Sequence, residues 1–268
     1  MLNSLKIGIF DSGLGGLTVF KSLKDKFPSC SFIYLGDLAH LPYGEKSSKA
    51  IINYSKKIIE FFLKHKVDLI VVACNSASSV ALKTLKKEYI DVDIIGVINP
   101  SVALSVQFSK TRSIGLIGTQ TTINSKSYDK QLLSLIDQKF KLHAIACPLF
   151  VPIVEEGWED TDIAYQIATK YLIHFNNTNI DTVILGCTHY PILINTLKSV
   201  FKKLGHNKLN FIDCGEAVSL YLESQIKLNN SNSNQSDQFY VTDTSHQFNE
   251  LASKFLGYTI PKIEIISL

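Results

Sequence analysis

Arginine is nearly missing: of the 27 basic residues in this 268-residue chain only Arg112 is an arginine, and the rest are lysine. A bidentate guanidinium clamp on a carboxylate or phosphate is therefore excluded at every position but that one. Charge of one sign is also lacking, with a formal net charge of +3 and 19% charged residues, so neither nucleic acid nor an anionic membrane surface is implied as a partner. No run of about 18 apolar residues occurs, and the opening MLNSLKIGIF has no basic stretch leading into a long apolar one. These absences predict a soluble, cytoplasmic protein. Cysteine is sparse and unpaired in pattern: Cys30, Cys74, Cys147, Cys187 and Cys214 are odd in number and form no C-x-x-C, which supports neither a disulfide framework nor a zinc ribbon.

What is present is rhythm. With 46% apolar residues the chain can fill one large core or two modest ones. LKIGIFD, SFIYLGD and DLIVVAC have strand length and alternate with GGLTVFKSLKDKF and SSKAIINYSKKIIEFFLKHK, which have helical period, so the pattern predicts β-α-β units and mostly parallel sheet flanked by helices. In the helix near 47–66 the spacing places Ile51, Ile52, Ile58, Ile59, Phe62 and Leu63 along one buried side.

The rhythm restarts after Asn99-Pro100. RSIGLIGTQ echoes KIGIFDSGL at an offset of 107 (114 minus 7), and DTVILGCTH echoes DLIVVACNS at an offset of 113 (187 minus 74). The echoes imply a duplicated unit: a first α/β domain over 1–98 plus 209–268, and a second, inserted α/β domain over 99–208, with the strands of the tail returning to the first. NNSNSNQSD at 229–237 reads as a polar surface loop.

In parallel sheets ligands sit beyond the carboxyl ends of the strands. Asp11 and Ser12, Asp37, Cys74 and Asn75, Thr119, and Cys187 with Thr188 and His189 all fall at such ends. If the two domains face each other, both cysteine loops border one cleft. DSGLGGLT lacks the lysine of a P-loop and the third glycine of a dinucleotide fingerprint, but its glycines allow close backbone approach while the next helix aims N–H groups at an anion. Cys30, Cys147 and Cys214 read as small buried hydrophobes. Cys74 and Cys187 differ, because each precedes a polar pair at an expected helix start, where the dipole is expected to lower a thiol below its usual value of about 8.5.

Two facing thiols allow three chemistries: a nucleophilic cysteine with an idle second thiol, a redox couple, or proton transfer on opposite faces of one carbon. His189 has no second ligand at metal spacing, and His40, His65, His143, His174, His206 and His246 read as surface or satisfied residues. Asp37 reads either as a helix cap or as a site residue, and Trp158 with the following EDTD reads as a helix start.

IGIFDSGLGGLTV (7–19), GDLAHLPYG (36–44), VACNSAS (72–78), CPLFVPIVEEG (147–157) and GCTHYP (186–191) together resemble the cofactor-independent Asp/Glu racemases, and GCTHYP with the D-S-G-x-G-G start resembles the glutamate branch. The resemblance implies two α/β domains with glutamate in the cleft between them, no cofactor or metal, and a homodimer. It implies interconversion of L- and D-glutamate, with the D-isomer supplied to peptidoglycan. Cys74 and Cys187 would be the two bases, assisted by Asp11 and His189 respectively, with Asp37 and Glu155, or its neighbour Glu156, as acidic groups near the site. Ligand contacts would fall on Asp11, Ser12, Tyr43, Gly44, Asn75, Ser76, Thr119, Thr188 and His189. Many members carry Thr where this chain has Ser76, which keeps the hydroxyl. Aspartate is the rival substrate; a two-lobed binding module without chemistry, and a regulatory protein acting on a DNA-gyrase-like target, are the readings from other classes.

Overall fold

The computed structural model describes residues 5–135, 140–226, 236–244, 248–260 and 262–268. His246 and residues 229–235 of the polar stretch lie outside them. The first half runs β1 (Lys6–Asp11), α1 (Leu17–Lys26), β2 (Ser31–Gly36), α2 (Ser48–Lys64), β3 (Leu69–Val72), α3 (Asn75–Val80), α4 (Leu82–Glu88) and β4 (Asp93–Gly96). α5 (Ile98–Phe108) leads into the second: β5 (Ser113–Gly118), α6 (Gln120–Asn124), α7 (Ser127–Leu135), β6 (Lys141–Ala146), α8 (Phe150–Glu155), α9 (Asp162–Leu172), β7 (Thr182–Gly186), α10 (Ile194–Lys203) and β8 (Asn210–Ile212). The tail adds α11 (Cys214–Gln225), β9 (Gln238–Val241), α12 (Phe248–Leu256) and β10 (Ile263–Ile265).

These strands form two sheets of parallel pairs, ordered β10-β9-β2-β1-β3-β4 and β6-β5-β7-β8. The second order repeats the last four strands of the first, β2-β1-β3-β4, so the echo in sequence is an echo in topology. SFIYLG, LIVV, SIGLIG and TVILG are buried along their whole length, as strands covered by helices on both faces must be. The aspartate that opens both echoed phrases has a structural task at the far end of the sheets. Asp68 Oδ2 accepts the backbone N–H of Lys6 at 2.8 Å, and Asp181 Oδ2 accepts those of Lys110 at 2.6 Å and Thr111 at 2.8 Å. Each carboxylate thus pins the chain where it enters the neighbouring strand, β1 or β5.

Two expectations are corrected. The second sheet does not stop at 208, because Asn210–Ile212 pairs with β7, Thr182 opposite Asn210; a strand this short carries no periodic signal. Within α2 the buried residues are Ile51, Ser55, Ile58, Ile59 and Phe62, while Leu63 is 40% exposed. At 3.6 residues per turn Leu63 and Ile52 flank that face, and Ser55 takes the inner position. α11 packs on both α1 and α5 and so joins the two halves behind the site.

Candidate functional site

β1 ends on Asp11, and the chain must turn over Ser12–Gly16 to begin α1. It turns around the carboxylate: Asp11 is fully buried, and its Oδ2 accepts the N–H of Gly13 at 3.2 Å and of Gly16 at 3.0 Å. Positions 15 and 16 have no room for a side chain. A Cβ on Gly16 would lie 2.4 Å from Asp11 Cβ, and one on Gly15 would lie 2.4 Å from His189 Nδ1 and from Thr188 Oγ1. At Gly15 and Gly16 the backbone closes on Thr188 and His189 of the second half and on Asp11, and the N–H groups of Gly13 and Gly16 turn inward to Asp11, while Gly13 itself lines the cavity.

Cys74 follows β3 and caps α3, its sulfur 3.5 Å from the N–H of Ala77 and 3.6 Å from Ser12 Oγ. Cys187 follows β7, its sulfur 3.9 Å from His189 Nδ1. The other imidazole nitrogen, Nε2, lies 3.3 Å from Glu155 Oε1, close enough for an ion-pair contact but off the line of a hydrogen bond. Sulfur, imidazole and carboxylate thus stand in a row. Phe255 of α12 meets the His189 ring edge-on, with centroids 5.3 Å apart.

The expected lowering of both thiols is overturned. Burial pushes Cys74 up from its ordinary 9.0 to about 12, with the Asp11 charge adding to the rise, and burial raises Cys187 well above its ordinary value despite the N–H of His189. Taking a thiolate out of water outweighs what a short helix end returns. α3 has only six residues, and a 3-10 turn over Tyr190–Leu193 separates Thr188 and His189 from α10. Burial also raises the Asp11 carboxyl, opposed by the nearby imidazole of His189.

Both thiols, 5% and 6% exposed, line one cavity of about 130 Å³ between the sheets' carboxyl ends. A cavity of about 150 Å³ holds benzene, so this space suits a small metabolite rather than a nucleotide or peptide. Of the residues expected there, Ser12, Tyr43, Gly44, Cys74, Asn75, Ser76, Thr119, Glu155, Cys187, Thr188 and His189 line the wall. Asp11 does not; it stands behind the wall, with Thr188 Oγ1 3.5 Å from its Oδ1. Ser76 Oγ and Thr119 Oγ1 meet at 2.9 Å and join the halves across the cavity's rim. Of the two neighbouring glutamates Glu155 faces the cavity and Glu156 does not.

Asp37 is fully buried and off the wall. Its side chain makes no cap bond; it accepts the Tyr43 hydroxyl at 2.5 Å and the Thr242 hydroxyl at 2.8 Å, with His40 Nδ1 2.8 Å away, and so fixes Tyr43 against the cavity. His65 and His206 approach backbone carbonyls and His143 the Ser113 hydroxyl. Thr161 caps α9, so the Trp158 stretch does lead into a helix. Sequence reasoning missed the apolar wall of Leu41, Pro148, Val151 and Pro152 and the polar Gln120. Val151 and Glu155 stand one helical turn apart on α8, a spacing that was legible once Glu155 was suspected.

The sequence pattern of the Asp/Glu/hydantoin racemase family matches residues 18–219. Glutamate racemase of Sulfurihydrogenibium sp. is 44% identical, covering 98% of this chain and 99% of its own. The crystal structure of glutamate racemase from Francisella tularensis in complex with D-glutamate superposes with a TM-score of 0.90 at 33% identity, over 99% of this chain and 98% of that one. Glutamate racemase isoform RacE1 from Bacillus anthracis superposes with a TM-score of 0.89 at 34% identity, over 98% of both chains.

Proposed function

The chain belongs to the Asp/Glu/hydantoin racemase family, and from that premise we propose that it interconverts L- and D-glutamate by proton transfer between Cys74 and Cys187, supplying D-glutamate for peptidoglycan synthesis. One observation carries the reading: the two thiols that hold equivalent places in a duplicated unit line a single cavity of about 130 Å³. Cys74 takes the α-proton of D-glutamate and Cys187 that of L-glutamate, the opposite thiol delivering a proton to the other face.

The raised thiols set the order of events. Before substrate binds both are neutral, so a base must be generated when it arrives. The α-ammonium of glutamate, brought beside the sulfurs as the α-carbon comes between them, favours a thiolate by direct charge attraction in a dry cavity. Asp11 behind Cys74, and His189 beside Cys187, hold or release the proton that each thiol exchanges. Removing the α-proton places negative charge on the carboxylate as well as on the carbon; the hydroxyls of Ser12, Ser76, Thr119 and Thr188, the last three turning to that carboxylate from their present partners, stabilise it as it grows, while the Asn75 amide holds it equally before and during the transfer. Tyr43 and Gly44 complete the binding wall. Holding both sulfurs on one carbon lowers the entropic cost of the two transfers.

In this reading the two halves are lobes that close on substrate, the first carrying 1–98 and the returning tail. The protein acts as a homodimer in the cytoplasm; among the described residues no helix is long and apolar enough to cross a membrane. Incubation with L-glutamate in deuterated water tests the reading. Optical rotation should decay to zero while deuterium enters the α-position. Retention of both rotation and α-hydrogen rejects it, and faster turnover of aspartate would replace the substrate.

A further inference from the structure

Beneath the cavity four buried polar side chains from four helices meet: Asn75 of α3, Ser101 of α5, Tyr128 of α7 and Cys214 of α11. The hydrogens of this cluster can be assigned one by one. The Leu185 carbonyl can only accept, so the Cys214 thiol, 3.2 Å away, donates to it. The Ser101 hydroxyl has one hydrogen and gives it to the nearer Val97 carbonyl at 2.7 Å rather than to the sulfur at 3.4 Å, and the sulfur, 3.7 Å from Asn75 Oδ1, accepts from Asn75 Nδ2 at 3.5 Å. Tyr128 Oη donates to Asn75 Oδ1 at 2.6 Å, the shortest contact of the group. The Asn75 amide therefore has its carbonyl turned to Tyr128, one N–H on sulfur, and one N–H left over in a residue that lines the cavity.

We propose that Tyr128 and Cys214 are positioning residues that lock the Asn75 amide so that it offers the substrate carboxylate an N–H and never a carbonyl oxygen. The inference rests on the reading of the site as one for an acidic amino acid. An asparagine amide is nearly symmetric in shape, so only its partners decide which end faces a ligand. Reversed, it would set a carbonyl against an anion. The same bonds reach from the loop after Cys74 to Leu185, two residues before Cys187, so the lock also ties one thiol loop to the other.

The test is a double-mutant cycle of Tyr128→Phe and Cys214→Ala, with KM and kcat for glutamate and the melting temperature measured for each protein. Loss of one neutral hydrogen bond corresponds to a change of about three- to tenfold. Tyr128→Phe should raise KM for both enantiomers by that factor while kcat stays within about twofold. Because both residues act through one amide, the double variant should raise KM little further than the worse single one. Turnover of glutamate by the unaltered protein in the same assay secures the reading underneath. Given that turnover, an unchanged KM in Tyr128→Phe, or effects that multiply in full, overturns the lock. A fall in melting temperature with KM unchanged also overturns it, since that is what a merely structural tyrosine would give.

Discussion

The loop after β3 and the loop after β7 are the same device set in two neighbourhoods. They stand 113 residues apart (187 minus 74), in strands that hold the same place in equivalent sheets, and each puts a buried thiol on the wall of one cavity. The residues next to the thiol have diverged. At the same offset Asn75 answers to Thr188 and Ser76 to His189. Cys74 therefore works beside the Ser12 hydroxyl with a buried carboxylate, Asp11, behind it, and Cys187 beside an imidazole backed by a carboxylate. The difference is instructive for the proposed reaction: duplication sets where its two proton carriers would stand, while their immediate neighbours would adapt each to its own face of a chiral carbon.

Removal of either sulfur tests that pairing most severely. Cys74→Ala or Cys187→Ala should each lower racemisation by about a thousandfold or more, in the range lost with a general acid-base group. Both directions must fall together in kcat/KM, because the two enantiomers are equal in energy. The halves should still be told apart by exchange in deuterated water: Cys187→Ala should wash α-hydrogen out of D-glutamate only, and Cys74→Ala out of L-glutamate only. Exchange of both enantiomers by a single-thiol variant would mean that the sulfurs do not stand on opposite faces.

The divergent partners come next. His189→Asn should lower kcat about 10- to 100-fold, less than loss of the sulfur it serves. His189→Ser, which copies Ser76 of the first loop, should be no better. If the serine variant keeps full activity, the asymmetry between the loops is ornamental.

Stability in alkali compares the loops through their burial. Both thiols are raised, Cys74 to about 12, so the folded state holds protons that the unfolded chain gives up near the ordinary 9.0. A raised acid stabilises fully below the unfolded value, and that contribution is lost as pH rises toward the folded one. Denaturant midpoints should therefore drop between pH 8 and pH 10.5, by up to about 2 kcal/mol per buried thiol, and either cysteine-to-alanine variant should flatten the slope. A wild-type profile already flat would mean that the thiols titrate as if in water.

The smallest effect on activity is expected at the other end of the sheets. Asp68→Ala frees one backbone N–H and Asp181→Ala frees two together with the Ser109 and Thr182 hydroxyls, so the second should cost about 1 to 3 kcal/mol and the first less, with kcat unchanged. Equal costs would show that the two anchors are interchangeable.

Most of this site lay in the order of letters, since the carboxyl end of a parallel strand marks a ligand position wherever the strand is recognisable. Cys74, Cys187, Ser12 and Thr119 each stand directly after such a strand or a residue beyond it. Other parts had no local signal. Gly15 reads as a backbone that approaches a ligand until His189, 174 residues on (189 minus 15), is found filling the space a side chain would need. Cys214 reads as a small hydrophobe, yet its sulfur is bonded to Asn75 and to Leu185 from parts of the chain far away. The pKa of a thiol is of this kind too: a helix start can be read from sequence, but the water excluded by the opposite half cannot.

Sequence alone determined the parallel α/β class, the duplication, and the pairing of two thiols with their polar neighbours, because periodicity and strand ends are local properties of a chain. Tertiary structure alone decided that Asp11 stands behind the wall rather than on it, that burial raises both thiols instead of a helix lowering them, and that Tyr128 and Cys214 meet at Asn75. Each of those depends on which distant atoms exclude water or offer a hydrogen, and no spacing along the chain encodes that.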